Sequence, residues 1–429
     1  RLSLNRAGGN PIVTQTMERQ TLPRPHQVAR EKRQSMPPAI ILGGRANALS
    51  VARNIGRLGA AVYILNDDGA FAGYSRYARQ IHVKAKNGKD QAQAWADFLL
   101  GPDAEYLRGA IVLSCCDEGL ELLIEHREAL AERYLLDEAY PPANATLLNK
   151  LATYQAAVEA GVPTPRFWIA QSSDQLAAVR DSLVYPLIIK PRLSHIFEGQ
   201  TGKKLIVAQN FNDVSAAVDA VLATGTDCLL MEMVPGPDDL LCSYFTYLDA
   251  DSKPLLHFTK RIIRRFPLLM GTGCYHMTDW IPELPDLANR LFSHVKLRGL
   301  ANAEFKRDVR DGQYKLIECN ARFNASDCLV AASGVDLAAF VYRRLTGLPQ
   351  EPINQYRRGL RLWDPIRDFQ AGLEMRRRGE LTIGQWLASV MHRQTFFYFR
   401  WSDPMPALAR LTLPLRKCLG LIGKRDVSR

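Results

Sequence analysis

From Ala39 onward, apolar and polar positions follow a strand, turn, helix, strand order. Ala39-Ile-Ile-Leu42 is continuously apolar, as expected of a strand covered on both faces. Gly43-Gly44 leads into a helical stretch that ends at Leu58 before Gly59. A second apolar run, Ala61 to Leu65, completes a βαβ unit. A third, Gly109 to Ser114, precedes an amphipathic helix predicted to reach about Tyr134. Residues 39–140 are therefore predicted to form a parallel α/β domain. Pro141-Pro142-Ala143-Asn144 reads as a linker, and the pattern then predicts a helix from Lys150 to Ala160, stopped by Gly161 and Pro163. Across 141–348 mixed strands and helices are expected, with strands at Leu187–Lys190, Lys204–Val207, Cys228–Met231, Ser243–Leu248, Leu255–Thr259 and Tyr314–Ile317. Residues 349–429 turn helical, basic and aromatic. Residues 1–38 mix Pro, Arg, Gln, Thr and Ser without periodicity, so disorder is expected there, with Met17 or Met36 as candidate starts.

Composition and charge narrow the function. The 429 residues are 47% hydrophobic and 23% charged, which excludes a disordered or fibrous chain. Apolar runs are short, such as Ile111 to Leu113, and all fall far short of the roughly 18 residues of a spanning helix. Eight cysteines show no Cys-x-x-Cys pair, so reduced thiols in a cytoplasmic protein are expected. The net charge of +11 sits at the ends. Residues 1–36 carry seven Lys/Arg against two acids, residues 350–429 fifteen against seven, and the stretch between is close to neutral. That distribution argues against a nucleic-acid groove. The turn Gly43-Gly44-Arg45-Ala46-Asn47 departs from Gly-x-Gly-x-x-Gly, which argues against nicotinamide or flavin binding.

The chemistry concentrates at Tyr314 to Arg322. On an extended chain Glu318, Asn320 and Arg322 share one side, bringing a carboxylate, an amide oxygen and a guanidinium together. The first two are hard ligands suited to Mg²⁺ or Mn²⁺, and the third can hold phosphate oxygens. Glu304 supplies a second acid from a neighbouring strand. Taken alone, Glu-x-Asn-x-Arg also fits a solvated surface strand, but the residues upstream shift the balance. Lys190 closes an apolar strand, where an anionic partner is needed, and Lys150 opens the helix after the linker. Met231-Glu232-Met233-Val234-Pro235 is a buried strand broken by proline. Its extended backbone offers the Glu232 carbonyl and the Val234 amide to an adenine edge, with Asp239 next for ribose hydroxyls.

In this order, over residues 39 to 348, these pieces resemble the ATP-grasp superfamily. The resemblance implies an α/β ATP-grasp fold with an N-terminal pre-grasp domain and a helical C-terminal extension. It implies that Lys150 and Lys190 contact the ATP phosphates, Glu232 and Val234 adenine, Asp239 ribose, and Glu304, Glu318 and Asn320 the Mg²⁺ ions. Arg322 would then stabilise the transferring phosphoryl group. The phosphate-covering loop, often glycine-rich in the superfamily, is here Arg192 to Lys204 with only Gly199 and Gly202. Ser194 and Lys203 or Lys204 remain its candidate phosphate contacts, and His195 reads as an ordinary loop residue.

The segment His257 to Pro267 carries Lys260, Arg261, Arg264 and Arg265. It is similar to the corresponding region of the carboxylate-amine ligase branch, which includes relatives of D-aspartate ligase. Arg261 and Arg264 match a recurrent basic pair there, implying γ-phosphate or substrate-carboxylate binding; a surface charge run is the plainer alternative. The expected activity is ATP-dependent joining of a small-molecule carboxylate to an amine. The rivals are an ATP-grasp carboxylase or phosphotransferase and a non-catalytic ATP-binding module with a basic membrane-surface tail. A homodimer and a peripheral membrane contact by residues 405–429 are further expectations.

Overall fold

A computed structural model describes residues 36–66, 71–85, 91–191, 205–223, 228–350, 353 and 355–418. The expectations for the N-terminal extension, and those for Ser194, His195, Lys203 and Lys204, lie outside the described residues. Strands β1 (Ala39–Leu42), β2 (Val62–Asn66), β3 (Arg79–His82), β4 (Ile111–Ser114) and β5 (Leu135–Leu136) form a parallel sheet in the order β3-β2-β1-β4-β5. All four residues of β1 are fully buried, as a central strand with helices on both faces requires. Helix Ala46–Leu58 follows the glycine turn, and Gly59 caps it at φ 101°, a left-handed conformation that suits a residue without Cβ.

The second sheet, β6 (Phe167–Ala170), β7 (Leu187–Pro191), β8 (Ile206–Ala208) and β9 (Cys228–Glu232), is antiparallel in the order β6-β9-β7-β8. It packs on helices Ser173–Val179 and Phe211–Leu222 through Leu187, Ile189, Val214 and Val218. The third comprises β10 (Leu241–Leu248), β11 (Phe258–Phe266), β12 (Thr272–Thr278), β13 (Gly299–Arg307), β14 (Tyr314–Asn320), β15 (Arg361–Trp363) and β16 (Gln394–Phe396), in the order β14-β13-β10-β11-β12-β15-β16. Tyr244, Ala303, Phe305 and Leu316 on one face of it pack against Leu284, Leu291 and Phe292 of helix Glu283–His294. The other face looks towards the second sheet across a cleft.

Several elements differ from expectation for identifiable reasons. Pro141 and Pro142 open helix Pro141–Leu148 rather than a linker, because a proline in the first turn lacks only an N–H that has no intrahelical acceptor anyway. The helix expected to run to Tyr134 breaks at His126 into Asp117–Glu125 and Arg127–Ala131. β11 extends well past Thr259, β3 and β12 were not apparent, and the C-terminal segment adds β15 and β16 to its helices.

Candidate active site

The cleft between the second and third sheets has a volume of about 540 Å³ and is lined by Lys190, Glu232, Val234, Lys260, Arg265 and Glu304, with Glu318, Asn320 and Arg322 beyond them. Sheet register explains the convergence. Glu318 on β14 stands opposite Glu304 on β13, Glu304 opposite Ser243 on β10, and Ser243 opposite Lys260 on β11. Facing side chains on paired strands have Cβ atoms roughly 4.5–5.5 Å apart. Two carboxylates, a hydroxyl and an ammonium therefore form one row across four strands. Burial raises the Glu304 carboxyl above its ordinary range, the Lys260 ammonium opposes that rise, and the Glu318 carboxylate adds to it. Lys260 is 1% exposed, and its Nζ donates to Ser243 Oγ at 3.0 Å and meets His276 Nδ1 at 3.3 Å.

A bulge makes this row possible. Between Glu304 and Phe305 the pairing partner jumps from Glu318 to Leu316, leaving Ile317 as the extra residue. Leu316 and Cys319 thus enter the core while Ile317, Glu318 and Asn320 face the cleft. With strict alternation Leu316 and Glu318 would share a face. Beyond the strand Arg322 completes the cluster, its Nε donating to Asp117 at 2.6 Å and its Nη1 to Asn324 Oδ1 at 3.2 Å. The helix carrying Asp117 belongs to the first sheet's layer, so this pair ties the two parts of the molecule at the site.

Lys190, next to the last residue of β7, is half-buried at the cleft wall. Burial lowers its ammonium to about 8, with Glu318 opposing and Lys150 assisting the shift. Lys150 is exposed at the start of helix Lys150–Glu159 and lines the adjoining recess with Glu318 and Asn320. A cationic Lys190 exists below that value and is lost above it. We therefore expect kcat/KM for ATP to fall as pH rises through about 8 in the wild type. In Lys190→Arg, which stays charged, the fall should disappear; an unchanged pH profile would show that Lys190 does not hold phosphate.

The linker after β9 is held from below. The Val234 carbonyl accepts from Lys306 Nζ at 2.9 Å and the Gly236 carbonyl from the same atom at 2.6 Å. The Val234 amide has no acceptor among the described residues. The Glu232 side chain turns away from any ligand role, taking Arg310 Nη2 at 3.1 Å and Nη1 at 3.2 Å, while Asp308 binds the same guanidinium. Asp239 is exposed in the turn Asp238–Leu240 and is not part of the cleft wall; its neighbour Asp238 is, instead, bonded to Arg265 Nε at 2.7 Å. Lys306 was not singled out by motif reading, although it continues the Asn302, Glu304 alternation. Lys306→Met should raise the KM for ATP about fivefold with kcat nearly unchanged, measured by ATP titration, because the linker loses its anchor rather than a reacting group.

The basic segment is arranged the other way round from expectation. Lys260 and Arg265 line the cleft; Arg261 and Arg264 do not. Pairing with β12 shifts register between Ile262 and Arg264 and again between Arg264 and Arg265, so cleft-facing positions run 260, 262, 265. Arg261 pairs with Asp279 at 2.5 Å on the outer face. Arg264, 4% exposed, is bidentate to Asp368 at 2.7 and 3.0 Å and lies over the Tyr275 ring. Arg45, Asn47 and His276 also line the cleft and were not anticipated. Gly273 makes room for the His276 ring, since a Cβ there would lie 2.3 Å from its Cε1.

No family model matches the chain. It is 23% identical to D-aspartate ligase of Enterococcus faecium over 323 residues, covering 70% of this chain and 75% of that protein. Among solved structures, an ADP complex of N5-carboxyaminoimidazole ribonucleotide synthetase superposes with a TM-score of 0.57 at 17% identity, covering 74% of this chain and 79% of that one. The L-amino acid ligase of Bacillus licheniformis superposes with a TM-score of 0.54 at 18% identity, covering 72% and 74%. With a parallel α/β domain and two further sheets facing across a cleft, the chain has the fold of these ATP-grasp structures and is similar in sequence to a carboxylate-amine ligase.

Proposed function

We propose that the protein joins a small-molecule carboxylate to an amine with ATP, through an acyl phosphate. The row Glu318, Glu304, Ser243, Lys260 beside Asn320 and Arg322 carries this reading. A carboxylate oxygen of the substrate attacks the γ-phosphorus and ADP leaves. The amine nitrogen then attacks the acyl carbon, the C–O bond to phosphate breaks, and the amine gives up a proton. In this reading Lys190 and Arg322 bind phosphate oxygens, and the Val234 amide and the linker backbone receive adenine. Arg322 neutralises charge that grows on the phosphoryl group. Asp239 is retained only as a candidate ribose contact from the turn outside the cleft wall. Arg261 and Arg264 are not assigned catalytic roles; Lys260 and Arg265 take the place expected for them.

The donor set fits Mg²⁺. Among the described residues no group of three or more His, Cys, Asp or Glu side chains is placed to hold a metal. Glu304, Glu318 and the Asn320 amide oxygen instead supply a partial set that phosphate oxygens and water complete, the usual arrangement for this ion. Bound there, Mg²⁺ supplies charge neutralisation of the transferring phosphate. Burial is the main cause of the raised Glu304 carboxyl, and the neighbouring Glu318 carboxylate adds to it. Use of ATP points to the cytoplasm as the working compartment.

The test is ADP and phosphate release with Mg-ATP across a panel of amino acids and short peptides, with mass spectrometry of the products. Release stimulated by an acid and amine pair, with a condensed product lighter by one water than their sum, is expected. Phosphate release without condensation for every pair would sink the ligase reading.

A further inference from the structure

Nine of the seventeen large hydrophobic side chains exposed on the described residues fall between Ile366 and Leu411. That stretch is roughly a tenth of the chain. Helix Ile383–Val390 buries none of its residues. At 100° per residue its Ile383, Trp386, Leu387 and Val390 fall on one side, and Ile383 and Leu387 are 50% and 48% exposed. Helix Pro365–Arg377 lies beside it, the Phe369 and Trp386 rings meeting edge to face at 5.7 Å. Along that helix the stripe Ile366, Phe369, Leu373 runs on into Arg376 and Arg377.

These elements share an anchor. Trp363 Nε1 and Trp386 Nε1 both donate to Asp368 Oδ2, at 2.9 and 3.0 Å. From Trp363 a chain of ring contacts passes through Phe396 and Phe399 to Trp401, which is 90% exposed. Arg410 bonds Asp364 at 2.7 Å at the head of the same helix, and Met405 and Leu408, on the helix that carries Arg410, are half-exposed. The face is apolar and aromatic with exposed arginines at 376, 377, 378 and 393, in a segment of net charge +8 over residues 350–429.

We propose that this face docks the protein on an anionic membrane surface, with Trp401 and the aliphatic stripes among the headgroups and the arginines on lipid phosphates. Tryptophan and arginine are the side chains that settle at such an interface, one amphipathic and the other matched to phosphate. A second copy of the chain is the alternative occupant, but a contact of this face with its own copy would bring two patches of like positive charge together. No helix among the described residues is long and apolar enough to cross a membrane, so the contact lies at the surface. The proposal is independent of the ligase reading.

Co-sedimentation of the full chain with vesicles of phosphatidylcholine containing phosphatidylglycerol, against phosphatidylcholine alone, tests it. Binding to the anionic vesicles only, weakened by 0.5 M salt, is expected. It should fall about tenfold in Trp401→Ser/Leu387→Ser and in a separate Arg376→Glu/Arg377→Glu/Arg378→Glu variant, with ATP affinity unchanged as the measure of an intact fold. Absence of binding to anionic vesicles would overturn the proposal, and so would equal binding of wild type and both variants. A dimer in sedimentation velocity that both variants dissociate would assign the face to a second copy instead.

Discussion

Glu318→Gln is expected to lower the condensation rate by about a thousandfold at saturating substrates, while the KM for ATP should change by less than about threefold. The substitution keeps the volume and one carbonyl oxygen but removes the negative charge that stands in register with Glu304. If the pair holds Mg²⁺ against the phosphates, the loss falls on the transition state, where charge on the phosphoryl oxygens is greatest, and less on nucleotide binding, which in the proposed reading the linker and Lys190 also support. Roughly 4 kcal/mol of lost stabilisation corresponds to that factor. The same change relieves repulsion between two carboxylates, one of them already raised by burial and by its neighbour. Thermal stability is therefore expected to rise, by about 1–2 °C, as activity falls. Steady-state ADP release with a Mg²⁺ titration and a melting curve measure both. Retention of more than a tenth of the activity would remove Glu318 from the metal site, and a drop in melting temperature would show that the acid is structural.

The placement of that pair was legible from residue order alone, and its geometry was not. Strands such as β1 and β9 announce themselves through continuous apolar runs, and Glu-x-Asn-x-Arg is visible because period-two spacing sets polar side chains on one face. Period two holds only while pairing stays in register. The bulge at Ile317 and the two shifts in β11 each move later side chains to the other face. For β14 the slip leaves Glu318 and Asn320 on the cleft side. For β11 it puts Arg265 rather than Arg264 on the cleft side, which no local pattern of four cations in six residues distinguishes. Long-range partners were hidden for a different reason. Asp368 lies 104 residues from Arg264 and was met in a segment read as a basic helical tail, yet it claims that arginine as a buried counter-ion. Glu232 is similar: its backbone position follows from the linker pattern, but the fate of its carboxylate depends on Arg310, 78 residues away.

The C-terminal segment is also welded to the first sheet, and breaking that weld gives the largest loss of stability we expect. Arg53 and Asp403, 350 residues apart, are 1% and 2% exposed, with Nε and Oδ2 at 2.8 Å. Arg53 Nη2 donates further to the carbonyls of Tyr398 at 2.7 Å and Asp403 at 2.8 Å, while Asp403 accepts from Ser75 Oγ at 2.7 Å and the Arg76 amide at 3.0 Å. Burial depresses the Arg53 guanidinium, which marks a cation kept inside only by its partner. Asp403→Ala leaves it without a counter-charge and strands the Ser75 hydroxyl, a combination that costs about 3–5 kcal/mol. Asp286→Ala, which removes an exposed partner of Arg290, should change stability by less than about 0.5 kcal/mol. Urea unfolding of the two variants beside wild type gives the comparison, and a loss below about 1 kcal/mol in Asp403→Ala would mean that the network is replaced by water. The pair also sets a direction with pH. Burial alone would raise the Asp403 carboxyl, but the Arg76 amide, Arg53 and Ser75 together hold it below its ordinary value. Its contribution is present above the normal carboxylate range and is lost as pH falls through the folded value, because the unfolded chain then binds the proton first. Asp403→Asn should flatten that acid limb of the stability profile, and a wild-type acid limb reproduced unchanged in the variant would assign the acid sensitivity to other carboxylates.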